Sequence, residues 1–94
     1  MRRDHPGETG TSFWRVVEKG NVRARTVRYS EGFRSDHWCP RGHVLYVVKG
    51  DLTIALLDGT THRLGPGMGF LAQDDESNPH GVFSDGGATV FIVD

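Results

Sequence analysis

A single cysteine means that no disulfide can form within this chain, which points to a reducing, cytosolic setting. Positive charge is not in excess either: eleven Lys and Arg stand against twelve Asp and Glu, a formal net charge of -1. A domain that grips nucleic acid through its phosphates carries a basic patch and a high pI, so no nucleic-acid partner is expected. No apolar run approaches the roughly 18 residues of a membrane span, and no membrane partner is expected. The opening stretch, residues 1–11, is polar and lacks the apolar centre of a secretory signal. Helix formers are sparse. Lys19 and Lys49 are the only lysines, alanine is rare, and no stretch of ten residues carries an apolar repeat of 3.6. There is also no internal repeat and no linker.

What the sequence does have is turns. Thirteen glycines and four prolines cut its 94 residues into short β-branched or aromatic runs. The candidate strands are Phe13–Val17, Val22–Tyr29, His43–Val48, Leu52–Leu57, Thr60–Leu64, Gly69–Ala72, Gly81–Ser84 and Ala88–Val93, with a shorter extended piece at Asp36–Cys39. Asp58-Gly59 reads as a type I′ hairpin turn, in which both central residues take positive φ. Gly65-Pro66-Gly67-Met68-Gly69 reads as a turn, because no helix follows it to offer amides to a phosphate. Strands at this spacing make an all-β sandwich or barrel. A chain of this size buries about 64% of its unfolded surface, enough for one core. The expected organisation is a flexible polar segment over residues 1–12 and one β-barrel domain over residues 13–94. In Val22–Arg25 both arginines fall on one face, which is expected to be wet or part of an interface.

The residues able to do chemistry cluster in two places. His37 and Cys39 are two apart, so on an extended segment they share a face. His43 opens an apolar strand, and alternation groups it with Leu45 and Val47. His80 begins a later strand. Imidazole and thiolate together favour borderline or soft metals over calcium or magnesium. The same residues also allow a metal-free apolar cavity with hydrogen-bonded histidines, or a Cys-His nucleophile. His5 falls in the polar N-terminal stretch, and His62 is expected to face solvent. Tyr29, Phe70 and Phe91 are candidate pocket walls, and aromatic residues in strands are more often plain core.

Gly32, four residues, His37-x-Cys39, three residues, His43, six residues and Gly50 resemble the first motif of the cupins, small jelly-roll β-barrels. That motif has His-x-His and a Glu where this chain has His37-x-Cys39 and His43. Gly69 and His80 keep the spacing of the second cupin motif, although Asp75 and Ser77 replace its proline and glycine. Asp36-His37-Trp38-Cys39 further resembles a subgroup of small bacterial cupins named after an Asp-His-Cys-Trp motif, which brings no assigned reaction. The resemblance covers roughly residues 20–94.

The resemblance implies a double-stranded β-helix with a divalent transition metal (zinc, iron, nickel or manganese) on His37, Cys39, His43 and His80. A small-molecule ligand would sit in the barrel mouth, with chemistry of the dioxygenase or isomerase kind. Replacing a carboxylate by a thiolate keeps the charge of the ligand set and changes its softness. Four such ligands could close around a structural zinc or leave an open position for a substrate. The alternative is a binding or sensing module without turnover. A homodimer is expected, because Tyr46, Val44 and Val48 project away from the proposed ligand face, with Phe13, Trp14 and Trp38 near its interface.

Overall fold

The computed structural model describes residues 2–35, 43–72 and 79–93, with side chains for all of these except 2–6, 43 and 72. Ten strands and no helix make up the described residues: β1 (Arg2–Pro6), β2 (Thr11–Lys19), β3 (Val22–Tyr29), β4 (Phe33–Arg34), β5 (His43–Gly50), β6 (Leu52–Leu56), β7 (Thr61–Leu64), β8 (Gly69–Ala72), β9 (His80–Ser84) and β10 (Ala88–Val93). They form a six-stranded sheet in the order β1-β2-β3-β10-β5-β8 and a four-stranded sheet in the order β4-β9-β6-β7, all antiparallel. The chain crosses repeatedly between the two, as a jelly roll does.

Alternation decides which side chains meet. On the large sheet Val27, Tyr29, Leu45, Val47, Ala88, Val90 and Ile92 point inward and are buried, against Phe33, Leu52, Ile54 and Leu64 of the small sheet. The strands with apolar residues on both faces, β6 and β10, lie inside their sheets, between β9 and β7 and between β3 and β5. The crossing from β5 to β6 is very tight. Gly50 has φ of +83°, and a Cβ there would collide with the Gly87 carbonyl, so only glycine fits.

Three expectations change. Arg2–Pro6, read as part of a flexible segment, form a strand paired with β2 in the register Arg2↔Arg15 to Pro6↔Thr11. Backbone pairing ties these residues down although the sequence has no apolar alternation there. Asp58-Gly59 do close the β6–β7 hairpin, but among the described residues none other than glycine has positive φ. The Leu56 amide donates to the Thr60 carbonyl at 2.9 Å and only Gly59 is left-handed, at φ +94°. This is a three-residue loop, a type I turn closed by a left-handed glycine, rather than type I′. Asp58 stays right-handed because its carboxylate accepts from the Thr60 amide and hydroxyl, at 2.9 and 2.7 Å. Finally, Arg25 is not wet: it is 9% exposed on the concave face of the large sheet. Its guanidinium lies 4.2 Å from the Trp14 ring centroid, and that of Arg23 lies 5.8 Å from it. A long stem buries along apolar surface while the planar head stacks on an indole, which strand alternation alone does not reveal.

Candidate functional site

The interior has two ends of opposite character, and the register defines them row by row. At one end the row Ser12–Tyr29–Ala88–Gly50 of the large sheet faces the row Phe33–Ser84 with Leu52–Leu64 of the small one. Tyr29 and Phe33 close it with ring centroids 4.6 Å apart. Burial pushes the Tyr29 hydroxyl up to about 12, only partly offset by the nearby Arg25 charge. Ser84 is buried there too, its hydroxyl donating to the Asp51 carbonyl at 2.6 Å. Nothing at this end is poised to react.

Towards the other end, the row Val16–Arg25–Ile92–Leu45–Phe70 faces the row Val82–Ile54–His62. His62 and Phe70 bridge the sheets, their centroids 5.4 Å apart. One step further out lie Glu18, Arg23, His43 and Ala72 on the large sheet, and Leu56 opposite His80 on the small one. Among the described side chains, Glu18, Arg23, Arg25, His62 and His80 thus gather toward this end, whereas Tyr29 stands at the other.

His80 is the best-defined of them. It opens β9, is 6% exposed, and pairs in register with Leu56. Burial lowers its pKa below the ordinary imidazole range, so at neutral pH it is the uncharged form that can ligate a metal. Of the other three residues read as ligands, His43 heads β5 opposite Ala72, and its side chain lies outside the described set. His37, Cys39 and the neighbouring Asp36 and Trp38 also lie outside the described residues. Their stretch is bounded by Ser35 and His43, and Ser35 is fastened to β9. Its amide donates to the Val82 carbonyl at 2.9 Å, and its hydroxyl accepts from the Val82 amide at 3.0 Å. Among the described residues no three His, Cys, Asp or Glu side chains come together.

The expected pocket walls divide. Phe70 lines the concave surface, Tyr29 belongs to the sealed end, and Phe91 lies on the outside of the large sheet, 43% exposed. Phe91 pairs with Thr26 and Tyr46, both exposed, so strand parity excludes it from the interior. His62 is exposed as expected, at the rim. The residue that sequence reading missed is Arg25. The only available signal was its parity with Val27 and Tyr29.

Comparison with known proteins agrees with this architecture. No family model matches the chain, and no curated protein matches it. Solved structures do. KdgF from Halomonas sp. superposes with a TM-score of 0.76 at 24% identity, over 99% of this chain and 84% of that one. An RmlC-like cupin from Shewanella frigidimarina gives 0.74 at 18% identity, over 99% and 82%. A sugar phosphate isomerase from a cupin superfamily, from Silicibacter pomeroyi, gives 0.73 at 19% identity, over 87% of this chain and 57% of that one. The fold is the cupin jelly roll.

Proposed function

We propose that this chain binds a small molecule at the histidine-bearing end of its barrel. There a divalent transition metal would be held by His80, His43, His37 and Cys39. The supporting observation is the gathering of charged and imidazole side chains toward one end of a largely apolar interior, with His80 buried and neutral among them. The donor set suits zinc, iron, nickel or manganese, and neutral imidazoles with one thiolate would leave a divalent ion with net positive charge. Such an ion would supply Lewis-acid or redox chemistry of the isomerase or dioxygenase kind. Around it this chain contributes an apolar wall from Leu45, Ile54, Ile92 and Phe70. The Asp-His-Cys-Trp subgroup of small cupins is the one whose motif Asp36–Cys39 resembles. The single cysteine is consistent with a cytoplasmic site of action, and no described helix is long and apolar enough to cross a membrane.

A homodimer is part of the same reading. Val17, Ala24, Val93, Val44 and Leu71 form an unbroken apolar row across the outside of the large sheet. Leu71 is 77% exposed in it, a surface that a second copy would cover.

The test is elemental analysis of protein purified without a histidine tag, beside Cys39→Ser and His80→Gln variants. Close to one transition-metal ion per chain, lost in both variants, is the expected result. Protein that binds no metal under any loading condition would refute the metal centre.

A further inference from the structure

The outer face of the large sheet carries a second feature, independent of the barrel interior. Phe13, Arg15, Thr26, Arg28 and Thr89 line a groove of about 190 Å³ over β2, β3 and β10. Cross-strand pairing sets its shape. Phe13, Arg28 and Thr89 stand in one row and Arg15, Thr26 and Phe91 in the next, so the two arginines are diagonal neighbours with threonines beside them. Both arginines are exposed, and the Arg28 guanidinium leans over the half-buried Phe13 ring at 5.0 Å from its centroid. Diagonal positions lie about 7–8 Å apart, within reach of long side chains, so both guanidiniums can turn to one anion seated between them.

The charge distribution strengthens the point. The chain as a whole is balanced. The side chains described on this face include Arg15, Lys19, Arg28 and Lys49, and the carboxylate that the register brings to it is Asp4, opposite Phe13 on the edge strand. Lys49 stands next to Thr89 in register, one strand beyond the groove. In β1, Arg2 and Asp4 stand opposite Arg15 and Phe13 in the backbone register, one charge of each sign.

We infer that this groove is a binding site for a small organic oxyanion, a phosphate or carboxylate group on a compact carbon skeleton. Two planar guanidiniums offer forked donors matched to such oxygens. Thr26 and Thr89 bring hydroxyls to the same hollow, and the Phe13 ring supplies an apolar wall for the carbon part. The site lies on the opposite side of the large sheet from His80, so it acts beside the barrel ligand rather than as part of its pocket. Its row Arg15–Thr26–Phe91 borders the β2 end of the apolar row, whose other end, Leu71, lies on β8 with β3, β10 and β5 between.

The experiment is an amide NMR titration of the full chain with inorganic phosphate and, separately, with succinate, at constant ionic strength held by chloride. Saturable shifts at Thr26, Arg28 and Thr89 are expected at millimolar concentration, with at least tenfold weaker binding in Arg15→Gln and in Arg28→Gln. Tighter binding of phosphate would assign a phosphorylated ligand, and tighter binding of succinate a carboxylate. A Leu71→Glu variant should bind either anion as the parent does while disrupting any dimer. Absence of saturable shifts with both anions, or affinity in the arginine variants unchanged from that of the parent, would overturn the site.

Discussion

The two ends of the barrel are built from the same strands and do opposite things. At the sealed end Tyr29, Phe33, Leu52, Leu64 and Ala88 exclude water, and its one titratable group is held neutral far past its ordinary range. At the other end the same β3 that carries Tyr29 carries Arg25 and Arg23, and β9, whose Ser84 is bonded to the Asp51 carbonyl, begins with His80. Along a strand of 8 residues the inward positions thus pass from core to chemistry. A jelly roll of this size has no spare layer in which to place a site. It therefore divides its single interior lengthwise, with close packing at one end and the proposed binding site at the other.

That division can be broken from the sealed side first. Leu52 is wholly buried, and Leu52→Ala removes packing from both sheets. It should cost about 3 kcal/mol in urea unfolding, with metal content per folded chain unchanged. A drop in metal content at equal folding would mean that the two ends are not separable. Tyr29 gives a pH signature of the same region. Its hydroxyl is raised from 10.0 to about 12, so the folded state keeps a proton that the unfolded state releases. Stability is then unaffected below pH 10 and falls as pH rises from 10 through 12, by about 2–3 kcal/mol in all. Tyr29→Phe should remove that pH dependence, and an equally steep alkaline loss in the variant would reassign it.

From the binding side the effects on stability are smaller and the effects on ligand are large. His80→Gln keeps the volume and the polarity, and should change unfolding free energy by no more than about 1 kcal/mol. Metal affinity should fall at least a hundredfold. In the parent, affinity should weaken as pH drops through the ordinary imidazole range near 6.5, because the proposed histidine and thiolate ligands must lose their protons to bind. Affinity unchanged between pH 8 and pH 5 would mean that carboxylates are the ligands. The smallest effect lies outside both ends. Asp58→Ala removes two hydrogen bonds at the exposed β6–β7 loop and should cost about 0.5–1 kcal/mol, leaving metal untouched.

Much of this was legible in the chain. Short β-branched runs between glycines located most of the strands, because period-two burial leaves its mark on Val27, Leu45, Val47, Val90 and Ile92 directly. The conversion of His80 from a spacing into a buried, neutral imidazole needed the fold. So did the reversal of Phe91, whose sequence reads as core and whose parity with Tyr46 turns it outward. β1 was invisible because Arg2–Pro6 has no apolar face to alternate: its order comes from backbone bonds to β2. Arg25 was misread for a related reason. Polarity suggests solvent, whereas stacking on Trp14 holds the side chain inside.

A paramagnetic ion can locate the proposed metal site along the barrel. Titrating cobalt(II) into isotope-labelled, metal-stripped protein should broaden or shift the amides of Val44, Leu45, Leu56, His80 and Gly81, while those of Leu52, Ser84 and Ala88 stay unchanged. Perturbations centred on the sealed end or on the outer face of the large sheet, or none at any concentration, would contradict the assignment of the site to the histidine-bearing end.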